Sequence, residues 1–474
     1  MEGLEVSEVS IADLDLSDRA DAEYVSKENL RIEHLVKHLP HRKLGSLCEL
    51  IASAFYPSAT DLYGESGLPF IRCVDCIDFP VLSFLQNETF ERLPVQFVEE
   101  NPSIRRAGKG DLVITKVGSP CFASVIHEHD ELALSRTVLG AVGIKDVDPY
   151  YLMAFLRAHH GFSQLMKQRE QTIQFQLTLE RVRDVDVYTP SPAFQHEISK
   201  AVKESFFLQK SAQIATQQAE QTLLHALGLD TWTPPEALSY ERSSREAFAA
   251  GRLDAEHFHE RYYALADKLQ GYSGGVATLG EICPNPMNGV EIREYIDEGV
   301  PYLRVGDISN FTVDPSGVKY VAPEAAAKEI DKVRLQTGDV LISRSGSLAV
   351  TGVVEPEWTH SLISSHLILV RLQDASFQPH YVAAFLSAMP GRMQIIQNSN
   401  GGVQPEINQP SLKRVLIPRL AQPIQTEITN NIQQAKHYRQ RATDLLDAAK
   451  RAVEIAIEDS EAAALDWLCS MRLG

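Results

Sequence analysis

Gly338-Asp339-Val340-Leu341-Ile342-Ser343-Arg344-Ser345-Gly346-Ser347 has a counterpart 228 residues upstream, Gly110-Asp111-Leu112-Val113-Ile114-Thr115-Lys116-Val117-Gly118-Ser119. Each copy opens on a Gly-Asp turn, runs through a short apolar segment that reads as a buried strand, and ends on a cation before a Gly-Ser turn. Working outward, other landmarks recur. Arg19-Ala20-Asp21-Ala22-Glu23 returns as Arg252-Leu253-Asp254-Ala255-Glu256, and Leu44-Gly45 as Leu279-Gly280. Leu68-Pro69-Phe70-Ile71-Arg72 with Asp75 returns as Val300-Pro301-Tyr302-Leu303-Arg304 with Asp307. Pro149, Tyr151 and Ala154-Phe155-Leu156 return as Pro379, Tyr381 and Ala384-Phe385-Leu386, and the offset drifts only between 228 and 235. Solenoid repeats run roughly 20–50 residues, so a period this long means one domain fold present twice.

Composition fits two such halves. The 474 residues are 44% hydrophobic and 23% charged, the balance of an ordinary globular protein. No uninterrupted apolar stretch is long enough to span a membrane. The segment Met1–Glu23 is acidic, without the basic start and apolar core of a signal peptide, so a cytoplasmic location is expected. Six cysteines do not make a disulfide framework. Cys73 and Cys76 have the spacing of half a zinc site, but their counterparts are Val305 and Ile308. A buried core pair and no metal are therefore expected. The net charge of −18, from 45 basic and 63 acidic residues, argues against a freestanding nucleic-acid binder. Local basic clusters do occur, at Arg105-Arg106 with Lys109 and at Lys167 with Arg169.

The predicted class is α+β: two similar mixed domains, each followed by a long helix. Pro69–Val74, Asp111–Thr115, Val340–Ser343 and His366–Arg371 read as strands, whereas Pro149–Ala158 and Pro379–Ala388 open helices with proline in the first turn. Every seventh residue after Pro192 gives Ile198, Ser205, Ala212, Ala219 and Ala226; after Pro423 it gives Ile428, Ala435, Ala442, Ala449 and Ala456. Ala201, Leu208 and Ala215 supply a second row in one helix, and Tyr438, Leu445 and Ala452 in the other. Small residues let helix backbones approach closely, so the two helices are expected to pair as an antiparallel coiled coil. The alternative is that each packs only on its own domain. A helix of about 32 residues rises about 48 Å, roughly 14 base pairs of duplex at about 3.4 Å each. The expected boundaries are an acidic extension 1–18, domains at 19–191 and 252–422, helices at 192–229 and 423–458, a linker 230–251 and a tail 459–474 with a helical turn or two burying Leu465, Trp467 and Leu468.

The chain has no phosphate-cradling Gly-x4-Gly-Lys-Ser/Thr, dinucleotide GxGxxG, nucleophile elbow, His-Glu-x-x-His or Asn-Pro-Pro-Tyr-type loop for a flipped base. Neither catalytic residues nor cofactors are expected. His159-His160, His127 and His129 lack counterparts in the second half and are expected to be solvated loop residues. A cation beside hydroxyls and free backbone amides suits phosphate oxygens, which makes Lys116, Ser119, Arg344 and Ser347 candidate backbone contacts. Arg72 and Arg304 are weaker candidates. A solvated cation beside a tight turn is the bland alternative.

The Gly338–Ser347 motif, followed by Gly402-Val403-Gln404-Pro405 with Ile407, then Ile417-Pro418, Leu420, Gln425 and Ile428, resembles the DNA specificity subunits of type I restriction-modification systems. The resemblance covers roughly residues 19–230 and 252–458. The first half departs from it at Lys116, which replaces Arg344, and at Gln174-x-Gln176-Leu177, a loose echo of Gln404-Pro405-Glu406-Ile407. Membership would imply two target-recognition domains reading a split sequence on double-stranded DNA, and two methyltransferase subunits docked on the paired helices. A restriction or translocase subunit joins as an optional further member of such a phage-defence complex. Gln404 and Asn408 are candidate base readers because amides pair bidentately with adenine. Loop-stabilising hydrogen bonds are an equal alternative for both. A coiled-coil adaptor that scaffolds partners without touching DNA is the competing class.

Overall fold

The computed structural model describes residues 24–86, 89–119, 121–170, 175–400 and 405–473. The chain divides into two units, Met1–Lys210 with Arg439–Gly474, and Ser211–Tyr438. Both divisions fall inside the long helices, Pro192–Ala226 and Gln422–Glu458, so each unit contains part of each helix.

In the first unit, Leu112–Thr115 sits between Val138–Val142 and Ala123–Ile126, pairing antiparallel with both. In the second, Val340–Ser343 sits between Leu367–Val370 and Thr351–Val353 in the same sense. All four residues of each central strand are buried. Alternation along the strand feeds two cores. Leu112 and Ile114 join the cluster containing the helices, and Val113 a separate one; Val340 and Ile342 divide from Leu341 in the same way. A parallel pairing of Phe70-Ile71 with Ala133-Leu134 recurs as Tyr302-Leu303 with Leu362-Ile363. A short ladder joins the start of each domain to its end: His41–Lys43 with Asp186–Tyr188, and Val276–Thr278 with Leu416–Pro418.

The helices Pro149–Arg157 and Pro379–Ser387, with the helices that follow them, bury matching polar side chains. Tyr151 donates its hydroxyl to Tyr188 O at 2.8 Å, and Tyr381 donates to Pro418 O at 2.6 Å. Gln164 exchanges two hydrogen bonds with the backbone of Asp186, as Gln394 does with Leu416. At the start of each long helix, Gln195 accepts from Asp148 N and donates to Pro190 O, whereas Gln425 accepts from Gln378 N and donates to Leu420 O. A buried amide left without these partners would cost about 1–3 kcal/mol. Gly161 and Gly391 mark the close approach of a second helix. A Cβ at either position would lie 2.1 Å from the carbonyl oxygen of Phe155 or Phe385.

The long helices pack together, antiparallel. Within the first unit, buried Ser205 donates its hydroxyl to Ala442 O at 2.6 Å. In the second, Ala212 and Ala215 pack with Ala435 and Tyr438, and Thr222 donates to Glu427 at 3.1 Å. Numbers rise along one helix as they fall along the other. The first unit's core takes in Ala448, Ala449, Ala452, Val453 and Ala456 from the second repeat's helix. The second unit's core takes in Ala219, Leu223 and Leu229 from the end of the first repeat. Of the seam residues, Ile198, Ala212, Ala219, Ile428, Ala435, Ala442 and Ala449 are buried. Leu208 is only half-buried, and Val202 and Phe206 fill the first unit's core instead.

Three expectations need correcting. His129 and His160 are buried and His127 packs against Tyr150 and Phe206, so none of the three is a solvated loop residue. Burial lowers the pKa of all three, which favours the neutral imidazole. The tail is a 13-residue helix, Glu461–Leu473, rather than a turn or two; it buries Ala464 and Leu468, while Leu465 and Trp467 are only partly covered. Cys76 is fully buried, its thiol pushed up to about 12 by desolvation, but Cys73 stays half-exposed with Sγ 3.6 Å from Ser119 O.

The alanine seam has no room for a longer side chain. Ala435→Leu is expected to lower stability by about 1–3 kcal/mol, read from chemical denaturation of the full chain. An unchanged midpoint would show that the helices do not meet there.

Candidate nucleic-acid interface

Each candidate site begins at a glycine in the left-handed region, Gly110 or Gly338, both at φ +88°. The following aspartate closes the turn. Asp111 accepts from Gly108 N at 2.9 Å and Asp339 from Gln336 N at 2.7 Å. The strand then runs to a hydroxyl that is fully buried in both copies. Thr115 Oγ1 donates to Ser119 O at 2.7 Å and accepts from Phe122 N at 2.9 Å. Ser343 Oγ donates to Ser347 O at 2.5 Å and accepts from Val350 N at 2.9 Å. The turn between is left-handed at Gly118 and Gly346, and again at Cys121 (φ 78°) and Ala349 (φ 64°). A non-glycine residue rarely takes that conformation, and here both copies hold one at the matching place. Ser119 and Ser347 are exposed.

The cation lies where the strand leaves the sheet. Lys116 N donates to Thr137 O at 2.8 Å, and Lys116 O accepts from Leu177 N at 3.0 Å. Arg344 N donates to His366 O, and Arg344 O accepts from Ile407 N at 2.8 Å. Through the bridges Val117–Gln176 and Ser345–Glu406, Gln176 and Glu406 occupy one position. The first half's Gln176-Leu177 is therefore a close counterpart of Glu406-Ile407, although the residue types barely match. The side chains there differ in consequence. Arg344 pairs with Glu406 and is 23% exposed. Lys116 is half-buried, and in its unit the neutral amide Gln176 stands at the position of Glu406.

The remaining candidates divide between braces and caps. Arg72 pairs with Glu91 at 3.4 Å and Asp75 at 3.6 Å, and its N–H donates to Asp75. Arg304 is held by Asp307 at 3.1 Å and Gly317 O at 2.7 Å. Asp75 and Asp307 are buried, so the Arg-x-x-Asp repeat is an internal brace. Asn408 caps the helix Gln409–Leu412, accepting from Ser411 N at 2.9 Å. Gln404 and Gln174 lie outside the described residues. Sequence reasoning missed Arg136, which lies over aromatic rings: its guanidinium is 4.9 Å from the Tyr56 ring centroid and 5.9 Å from that of Phe55, which is 80% exposed. Nothing in the repeat marks Arg136, because the matching position is Ser365.

No protein-family model and no curated protein matches the chain. Solved structures do. The type I restriction-modification S subunit from M. genitalium aligns over 87% of this chain and 94% of its own, at 11% identity and a TM-score of 0.44. The HsdS subunit from Thermoanaerobacter tengcongensis aligns over 89% and 97%, at 15% identity and a TM-score of 0.28. The type IIG restriction endonuclease BpuSI aligns over 38% and 28%, at 10% identity and a TM-score of 0.30.

The buried hydroxyl is what shapes the turn. Ser343→Ala leaves Val350 N without its acceptor and is expected to cost about 1–3 kcal/mol, measured by denaturation. An unaltered stability would mean that the left-handed residues alone hold the loop.

Proposed function

We propose that this chain is a DNA specificity subunit of the type I restriction-modification kind, a reader without catalytic residues that recognises a two-part duplex target. The observation that carries this reading is the duplicated strand-end site: a cation and an exposed serine on a rigid turn, once in each unit. Such turns suit phosphate oxygens, which set register on a duplex but carry no sequence information. Base reading would fall to adjacent loops entering the major groove, where every base pair displays a distinct donor and acceptor pattern. Two sites on one chain suit a split target. The paired helices are proposed as the seat of two DNA adenine methyltransferase subunits, with a restriction or translocase subunit as an optional addition. Basic partners would also offset the net charge of −18.

The adaptor reading draws on two observations: that acidic balance, and the internal pairing of Arg344 with Glu406. Lys116→Glu separates the two. A reader binds DNA, loses that affinity on the change and keeps partner assembly; an adaptor shows no DNA binding to lose and keeps assembly. In the host, methylated motifs depending on this chain are expected to be split by an unspecified spacer. An unsplit motif, or DNA binding indifferent to Lys116→Glu, would contradict the proposal.

A further inference from the structure

The two strand-end sites share a backbone but not a charge. Matched through their hydrogen bonds, Lys116 corresponds to Arg344, Thr137 to His366, Leu177 to Ile407 and Glu170 to Asn400. Thr178 and Asn408, at the N-caps of Leu179–Arg183 and Gln409–Leu412, match as well. Neighbouring positions follow: Arg136 with Ser365, Arg169 with Ser399, Gln176 with Glu406, and Arg181 with Ser411. At these positions the first site carries four cations, Lys116, Arg136, Arg169 and Arg181, and Arg181 engages Glu170 at 3.4 Å. The second site has Arg344 alone at the same positions, and Glu406 neutralises it.

The first site also carries aromatic surface. Arg136 lies over Tyr56 and Phe55, and Arg169 lies 4.3 Å from the centroid of Phe175, which is 40% exposed. Cations laid on rings keep their charge and give up little mobility when they meet an anion. In the second site hydroxyl and imidazole groups take these places. Ser345 Oγ and His366 Nδ1 lie 2.7 Å apart, and Asn400 accepts from Arg252 at 3.1 Å. Arg252 is itself committed to Asp254, whose carboxyl it holds down to about 2.

We propose that the two sites bind DNA unequally: the first grips backbone phosphates, while Glu406 occupies the anion position at Arg344 and closes the second to phosphate. Glu406 is then an internal substitute for a phosphate oxygen, and Gln176 leaves the same place open in the first unit. This rests on the DNA-reader proposal and adds to it a division of labour. The first unit supplies salt-sensitive affinity. The second contributes interactions nearly independent of salt.

The test is the salt dependence of full-chain binding to a labelled mixed-sequence duplex, followed by fluorescence anisotropy across a KCl series. Removing one phosphate-binding cation flattens the log–log slope by about 0.9. Lys116→Gln is expected to flatten the slope by about that amount, and Gln176→Glu to do likewise by closing the first site. Arg344→Gln should leave it unchanged. Glu406→Gln should steepen it by about 0.9 by freeing Arg344, whereas Glu298→Gln, the same charge change at an exposed residue of the same unit, should not. Equal flattening by Lys116→Gln and Arg344→Gln, or no difference between Glu406→Gln and Glu298→Gln, would overturn the inference and leave the reader intact. Wild-type chain with no salt-dependent binding would overturn both.

Discussion

Two alanine-lined helices lying close enough for Ser205 to donate to Ala442 O are the contact on which the rest depends. Close approach excludes water from the seam, and each small residue gives up little side-chain entropy when packed. The antiparallel sense has a further effect. Each unit's core is finished by residues from the other repeat: Ala448 to Ala456 in the first, and Ala219 to Leu229 in the second. A duplicated sequence thus yields two units whose cores are reciprocally completed. The covalent repeat and the packing unit are different objects.

Inside each unit, duplication has kept what the backbone requires and varied what faces outward. Tyr151 and Tyr381, Gln164 and Gln394, Gln195 and Gln425, and Gly161 and Gly391 occupy matching places because each satisfies a buried polar group or admits a close neighbour. A change at any of them leaves an unmet hydrogen bond or a clash. Surface positions carry no such penalty. Arg136 matches Ser365 across the repeat, and Gln176 matches Glu406. Two rigid, similar frames therefore present different electrostatics at equivalent turns.

The fold was largely legible because its signals are periodic or repeated. Heptad alanines located the helix seam, and the offset between halves located strands and Pro-initiated helices to within a few residues. The site was half legible. The Gly-Asp strand and Gly-Ser turn stood out, but their internal economy did not. Arg344, Arg72 and Arg304 read as candidate backbone contacts, since a sequence does not reveal that Glu406, Asp75 and Asp307 pair with them. Arg136 escaped notice because its role depends on Phe55 and Tyr56, which are remote in sequence. The histidines were misplaced for the same reason: His127 gains its burial from Tyr150 and Phe206, which no local pattern announces.

The antiparallel pairing is most directly tested by thiol cross-linking in a full-length background with Cys73 and Cys469 changed to serine. Thr222→Cys with Glu427→Cys should join rapidly through a short bismaleimide, because their side chains meet at 3.1 Å in the native chain. Thr222→Cys with Arg451→Cys, close neighbours if the helices ran parallel in the repeat's own register, should not. Efficient joining of the second pair and none of the first would contradict the account.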